Sequence, residues 1–332
     1  MPEFSAGILA TGSYLPKEEV GNDELAERAG TTPEWIERKT QILTRRYAAP
    51  DEAVSDLAAK AAENALDQAG IAADEIDYII VSTSTGDSPS PPTANLVQDR
   101  LGAYNAACFD LNVVCAGFVY GLALARSLVT LYPGAKVLVL ASEVYSRILD
   151  FSDRRTSVLF ADGAAAAIVG QVARPYGFID VELASRGEGH HLIGVAAGGS
   201  RKPSSHATVE AGEHFFRMEG RAVSDFVMEQ VPINLERLSD RTGVSLDTVD
   251  HFIPHQGNGV LLGKLAEKLG LERARTHVTV DRYGNVGSAS IPVTLDDANR
   301  SGHLKDGDLV LISGFGGGLS LGSCLLRWAV AP

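Results

Sequence analysis

Three polar residues stand where strand-like apolar runs end, and their types belong to acyl chemistry: Cys115, His255 and Asn285. Cys115 follows the run Phe109-Asp110-Leu111-Asn112-Val113-Val114 and opens Cys115-Ala116-Gly117-Phe118, the start of an apolar helix. At a helix N-terminus the first N–H groups are unpaired and the dipole favours negative charge. A lowered thiol pKa is therefore expected, with a nucleophile that works through a thioester. Read alone, Cys115 is a small buried hydrophobe, as most free cysteines are. His255 follows His251-Phe252-Ile253-Pro254, and Asn285 follows Val278-Thr279-Val280 by way of Asp281-Arg282-Tyr283-Gly284. Each of these alone reads as a hydrogen-bonded loop residue. In open α/β sheets, however, ligands gather beyond the carboxyl ends of strands, so three such groups at three strand ends are expected to converge.

The elements that must position them are read from periodicity and its stops. Helices are expected over Val54–Ala69 before Gly70 and over Asn258–Leu269 before Gly270. An internal echo pairs Asp74-Glu75-Ile76-Asp77-Tyr78-Ile79-Ile80 with Asp247-Thr248-Val249-Asp250-His251-Phe252-Ile253. A second pairs Lys136 to Ser142 with Asp308 to Ser313, in the same order. The pattern predicts duplicated βα halves with mixed central sheets, divided as residues 1–172, carrying the cysteine, and 173–332, carrying the histidine and asparagine. Arg186 to Gly212 lacks periodicity and reads as a long surface loop or flap. Its His190 and His191, with His206 and His214, have no supporting carboxylate spacing, and no metal is expected.

The chain has 332 residues, 45% of them hydrophobic and 34 of them glycine, enough for one large or two fused domains. A net charge of −13 excludes broad contact with nucleic acid, which needs a basic footprint. No apolar run is expected to reach the roughly 20 residues of a membrane span, and no basic segment with an apolar core opens the chain. A cytoplasmic protein is expected. Three cysteines, Cys108, Cys115 and Cys324, have neither disulfide nor zinc spacing, and a reducing compartment suits a catalytic thiol.

Eight ordered stretches resemble β-ketoacyl-ACP synthase III, a family of the thiolase-like condensing-enzyme superfamily. They are Thr11-Gly12-Ser13-Tyr14-Leu15-Pro16, Trp35-Ile36, Cys115-Ala116-Gly117-Phe118, Asp162-Gly163-Ala164, Met218-Glu219-Gly220, His255-Gln256, Tyr283-Gly284-Asn285 and Phe315-Gly316-Gly317-Gly318. The resemblance spans nearly the whole chain. It implies an α/β thiolase-like fold with a layered α/β/α/β/α core, a homodimer, and no cofactor beyond coenzyme A thioesters as substrates. It implies that Cys115 takes an acyl primer from acyl-CoA or a carrier, while His255 and Asn285 bind the carbonyl of a malonyl-type thioester. The N–H groups of Cys115 and Gly318 are then the oxyanion hole. Loss of CO₂ leaves an enolate that attacks the acyl-cysteine and gives a 3-oxoacyl product. The alternative is acyl transfer from Cys115 to an alcohol or amine, with His255 as base. A non-catalytic partner subunit is a third reading, although such members commonly lack the cysteine.

Departures from the family pattern concern the substrates. Trp35 is placed to stack on adenine, Arg154 matches a nucleotide-contacting arginine, and Asn258 joins the coenzyme A contacts. Lys39 stands where the family usually has arginine, keeping charge but losing the planar fork. Asp225, Val260 and Glu267 occupy positions that are basic in the family near the tunnel mouth, which disfavours an acidic carrier protein. A dedicated acyl carrier protein or free coenzyme A thioesters are the expected partners. Ser90 stands where the family has a large aromatic that reaches the partner subunit's acyl pocket, so primers longer, branched or cyclic are expected.

Overall fold

A computed structural model describes residues 3–330. In chain order the first seven strands are β1 Phe4–Tyr14, β2 Glu18–Gly21, β3 Thr44–Tyr47, β4 Tyr78–Ser82, β5 Ala107–Leu111, β6 Val137–Val144 and β7 Asp162–Ala173. The next seven are β8 Gly177–Ser185, β9 Ile193–Val195, β10 Phe216–Met218, β11 His251–Pro254, β12 Arg275–Thr276, β13 Leu309–Gly316 and β14 Ser320–Arg327. The α-helices are α1 Asn22–Arg28, α2 Pro33–Thr40, α3 Val54–Ala69, α4 Thr93–Leu101, α5 Gly117–Leu131, α6 His206–Glu210, α7 Gly220–Thr242, α8 Gly259–Leu269, α9 Val280–Tyr283 and α10 Ser290–Arg300.

The duplication read from the sequence is realised strand for strand. One five-stranded sheet runs β1-β7-β6-β4-β5 and the other β8-β14-β13-β11-β12. In each, the second strand is antiparallel to both its neighbours and the last three strands are parallel. We propose that the chain divides at the 174–176 turn between β7 and β8, close to the 172/173 boundary read from the sequence, because β7 runs to Ala173. Every residue of β6 and β13 is buried, as parallel strands covered on both faces must be.

The five layers follow from which faces are apolar. Helices α5 and α10 lie between the two sheets, and their side chains join Val137, Val139, Val310 and Ile312 in one central cluster. Helices α3 and α4 cover the outside of the first sheet, and α7 and α8 the outside of the second. The stretch Val114–Leu131 has a mean hydropathy of 1.7 over 18 residues, close to the length of a membrane span and against the expectation that no run comes near it. Its apolarity is explained by its position between two apolar sheet faces, where each fully buried aliphatic side chain contributes about 1.5–3 kcal/mol.

Both helices marked out in the sequence form. α3 spans Val54–Ala69 and ends at Gly70 in the left-handed conformation. α8 begins one residue later than expected, because Asn258 is its N-cap and accepts from Leu261 N–H. The Arg186 to Gly212 stretch is not wholly irregular: it holds a 3₁₀ turn, the strand β9 paired with β10, and α6. Near its end His214 bonds Thr208, while His190 Nδ1 bonds Gly187 O and its ring meets that of His191 edge-on. Among the described residues no group of three or more metal-ligating side chains comes together. The Thr11-Gly12-Ser13 motif is a tie between halves, with both hydroxyls donating to the buried carboxylate of Asp296 on α10 at 2.7 and 2.6 Å.

Candidate active site

Cys115, His255 and Asn285 line one cavity of about 310 Å³. Cys115 sits in a 3₁₀ turn, Val114–Ala116, that runs directly into α5. His255 leaves β11 with its N–H bonded to Ser313 O at 2.8 Å. Asn285 is clamped against the end of the 3₁₀-like turn at Phe160: its N–H donates to Leu159 O, and its O accepts from Ala161 N–H, both at 2.9 Å. The Asn285 Oδ1 accepts from Gly287 N–H at 2.9 Å, which leaves its amide hydrogens free to face the cavity. One point above Gly257, where a Cβ would lie, is 3.3 Å from His255 Nε2 and 3.9 Å from Asn285 Nδ2. The two nitrogens thus lie close to one point on the cavity wall.

The electrostatics differ from the sequence expectation at Cys115. Burial pushes its thiol up to about 12, and the charge of Glu143 adds to the rise. The N–H groups of Gly317 and of Cys115 itself oppose this but do not overcome it, because a thiolate without water is costly wherever it sits relative to a helix. Burial alone drives His255 down to about 3, so its ring is neutral. Its Nδ1 has no hydrogen-bond partner among the described residues, and the ring of Phe315 meets it edge-on at 5.4 Å.

The glycine run also needs a correction. The Gly317 N–H, not that of Gly318, is the backbone donor that acts on the Cys115 thiol to lower its pKa. Gly316 is pressed against Cys115 so closely that a Cβ would lie 2.6 Å from Cys115 Cβ and 3.0 Å from Sγ. Gly318 lies beyond this contact, in the left-handed conformation at φ 67°, where it turns the chain into β14.

The remaining expected contacts are partly assembled. Trp35 and Arg154 meet, with the guanidinium carbon 5.1 Å from the ring centroid. Lys39, one helical turn after Trp35 on α2, lines the cavity together with Asn258, Arg155 and Lys264. Asn258 is more structural than expected: besides capping α8, its Nδ2 donates to Lys39 O at 3.0 Å. Ser90 is exposed on the loop before α4 and does not line the cavity. Within one chain the cavity beside Cys115 is walled by Phe160 and Phe216, backed by the fully buried Tyr145 at ring distances of 4.7 and 5.2 Å.

Sequence reasoning missed one signal. Asn112-Val113-Val114-Cys115-Ala116 before α5 is repeated as Asn285-Val286-Gly287-Ser288-Ala289 before α10. Both turns are 3₁₀, and in both the asparagine Oδ1 accepts from the N–H two residues on. The third residue of each is left-handed, Val114 at φ 46° and Gly287 at φ 56°. A β-branched residue rarely adopts that conformation, so the nucleophile turn holds strain that its copy does not.

Comparison with known proteins agrees with this geometry. Residues 109–187 match the family described as 3-oxoacyl-[acyl-carrier-protein] synthase III, and residues 239–328 match its C-terminal part. An acetoacetyl CoA synthase of a Streptomyces species is 46% identical, over 99% of this chain and 100% of its own length. A β-ketoacyl-[acyl-carrier-protein] synthase III of Caldanaerobacter subterraneus is 41% identical, over 98% and 99%. Among solved structures, the Pseudomonas aeruginosa synthase III superposes with a TM-score of 0.89 at 36% identity, covering 98% of each chain. A priming β-ketosynthase of a polyketide pathway superposes with a TM-score of 0.91 at 34% identity, covering 100% of this chain and 99% of its own.

Proposed function

Because the chain belongs to the 3-oxoacyl-[acyl-carrier-protein] synthase III family, we propose that it condenses an acyl primer with a malonyl-type thioester by decarboxylation, with Cys115, His255 and Asn285 as its catalytic residues. The observation that carries the reading is that His255 Nε2 and Asn285 Nδ2 lie close together on the wall of the cavity that Cys115 also lines. In the first half-reaction the Cys115 sulfur attacks the primer thioester. The bond to coenzyme A sulfur breaks, and the thiol proton ends on that leaving sulfur. Cys115 N–H and Gly317 N–H hold the oxyanion formed on the way. In the second, the bond between the malonyl methylene and its carboxylate breaks and CO₂ leaves. Its electron pair moves onto the thioester oxygen, where two neutral donors, His255 Nε2–H and the Asn285 amide, stabilise the enolate. The enolate carbon then bonds the acyl carbon, the carbon–sulfur bond to Cys115 breaks, and the thiolate takes a proton from water.

A histidine held neutral by burial is a good hydrogen-bond donor and a poor base. This disfavours acyl transfer to an alcohol or amine, which needs a base and gives Asn285 no task. Free coenzyme A thioesters are the substrates we favour over carrier-bound ones. Asp225 and Glu267 are exposed near the cavity, and Lys268 is tied to Met228 O at 2.7 Å. Pro232, lacking an N–H, leaves that carbonyl unpaired within α7. The cations lining the cavity, Lys39, Arg155 and Lys264, suit the phosphates of a nucleotide thioester, and no further cofactor is required by the steps above. A relative named as an acetoacetyl CoA synthase supports the same preference. Free thiols at Cys108, Cys115 and Cys324 fit a reducing, cytoplasmic setting.

Intact-protein mass spectrometry after incubation with acyl-CoA, followed by a malonyl chase, tests both half-reactions. An adduct that requires Cys115 and is cleared by malonyl-CoA, faster than by malonyl on a carrier protein, is the expected result. An adduct that malonyl thioesters never clear would sink the condensing reading.

A further inference from the structure

The duplicated turn implies a duplicated site, and strand register locates its parts. Tyr78 pairs with Val137 in the first sheet as His251 pairs with Val310 in the second. Asp77 N–H donates to Lys136 O as Asp250 N–H donates to Leu309 O, and the carboxylate of each aspartate accepts the return N–H. Counting along these strands, Ser82 stands where His255 stands, and Glu143 where Gly316 stands. Ser288 stands where Cys115 stands.

The copy is filled rather than open. Gly316 leaves room for the Cys115 sulfur, whereas Glu143 occupies the equivalent space and accepts from Ser288 Oγ at 2.8 Å. Glu143 is fully buried. Its carboxylate also accepts from Thr85 Oγ1 at 2.6 Å, and from Ser84 N–H and Oγ at 3.1 Å. Thr85 Oγ1 itself accepts from Val144 N–H, so its hydrogen is directed to Glu143. These donors oppose the burial that raises the Glu143 pKa. A carboxylate surrounded by donors from two loops is an anchor between them: one loop follows β4, the other carries Asn285. Ser288 is joined to Gly287, whose N–H fixes the Asn285 Oδ1, and Gly287 is packed so that a Cβ would meet Tyr145 Cε2 at 2.4 Å.

We propose that Glu143 and Ser288 are a positioning pair, the converted copy of the nucleophile site, which holds the Asn285–Ser288 turn and thereby aims the Asn285 amide at the thioester carbonyl. The proposal rests on the condensing reading above. It separates the half-reactions, because loading of Cys115 uses the Cys115 and Gly317 N–H groups, while decarboxylation and condensation use Asn285.

Glu143→Gln and Ser288→Ala, each in the full chain, test it by acyl-CoA loading and malonyl-CoA clearance followed by intact mass. Ser288→Ala is expected to load near the unsubstituted rate, and Glu143→Gln, which also removes a charge that raises the Cys115 pKa, to load no more slowly; both are expected to clear about 10- to 100-fold more slowly, less than the loss of a whole oxyanion donor can cost. Clearance at the unsubstituted rate in both would overturn the pairing. So would an equal loss in both half-reactions, which is what a general weakening of the fold produces. If Glu143→Gln does not fold, Ser288→Ala, which removes one hydroxyl, carries the same comparison. An unsubstituted protein that loads but never clears would instead defeat the condensing reading itself.

Discussion

The Cys115 sulfur carries two opposing influences, a helix start that favours its anion and a dry cavity that penalises it, and the second is larger. A thiol pushed up to about 12 has a thiolate fraction that grows throughout the usual assay range, because every assay pH lies below its pKa. Alkylation of Cys115 by iodoacetamide should therefore rise about tenfold per pH unit between roughly pH 7 and 10. A plateau below pH 9 would show that the helix start governs the thiol after all. His255 has the opposite sign: depressed to about 3, its ring takes up a proton only well below its usual range. Condensation should show no acidic limb from this histidine down to about pH 4. The residue types at these positions were legible in the sequence, but the direction of the thiol shift was not. Desolvation is set by Phe160, Phe315 and the other groups that close the cavity, which come from distant parts of the chain.

At the scale of elements, the two 3₁₀ turns before α5 and α10 show what a strained position does. Val114 adopts a left-handed backbone and packs against Gly317, where a Cβ would lie 3.0 Å from Val114 Cγ2. This contact keeps the Gly317 N–H beside the sulfur. Gly287 needs its missing side chain for two reasons, φ 56° and the Tyr145 ring. Gly287→Ala should destabilise the protein by about 1–3 kcal/mol, read as a lowered unfolding midpoint, as expected for overpacking a filled core. An unchanged midpoint would mean that the turn yields, and that its rigidity is not what orients Asn285. The helices and their glycine stops were legible because capping and 3.6-residue periodicity are local. The repeated Asn-Val-x-Cys/Ser-Ala was legible too, but its meaning required the paired strands.

Both five-stranded sheets are open, and the end strand β5 is one of their exposed edges. β5 ends the first sheet, its residues are partly or fully exposed, and no strand among the described residues pairs with its outer side. An unpaired edge of five residues beside an exposed loop is a site for strand addition, and we propose that two copies associate along it. Sedimentation of the dilute protein should report two 35.1 kDa chains, and a single chain at all concentrations would refute the dimer. Ser90 bears on primer size only through such a partner, since within one chain it lies outside the cavity at Cys115. Ser90→Phe should then narrow the range of primers that load, by filling space across the interface, without changing clearance of the smallest.

The sequence by itself determined the chemistry and the plan of this protein. A thiol, an imidazole and an amide after three apolar runs, and one pattern of strands written twice, are fixed by neighbouring residues and survive any packing. Tertiary structure alone decided that Gly317 rather than Gly318 faces the sulfur, and that burial outweighs the helix start at Cys115. It also decided that Glu143, on a strand remote in sequence, closes the second copy of the site. The reason is physical: the direction of an N–H and the loss of water around a charge depend on groups from both halves meeting at sub-ångström register, and no local pattern encodes that meeting.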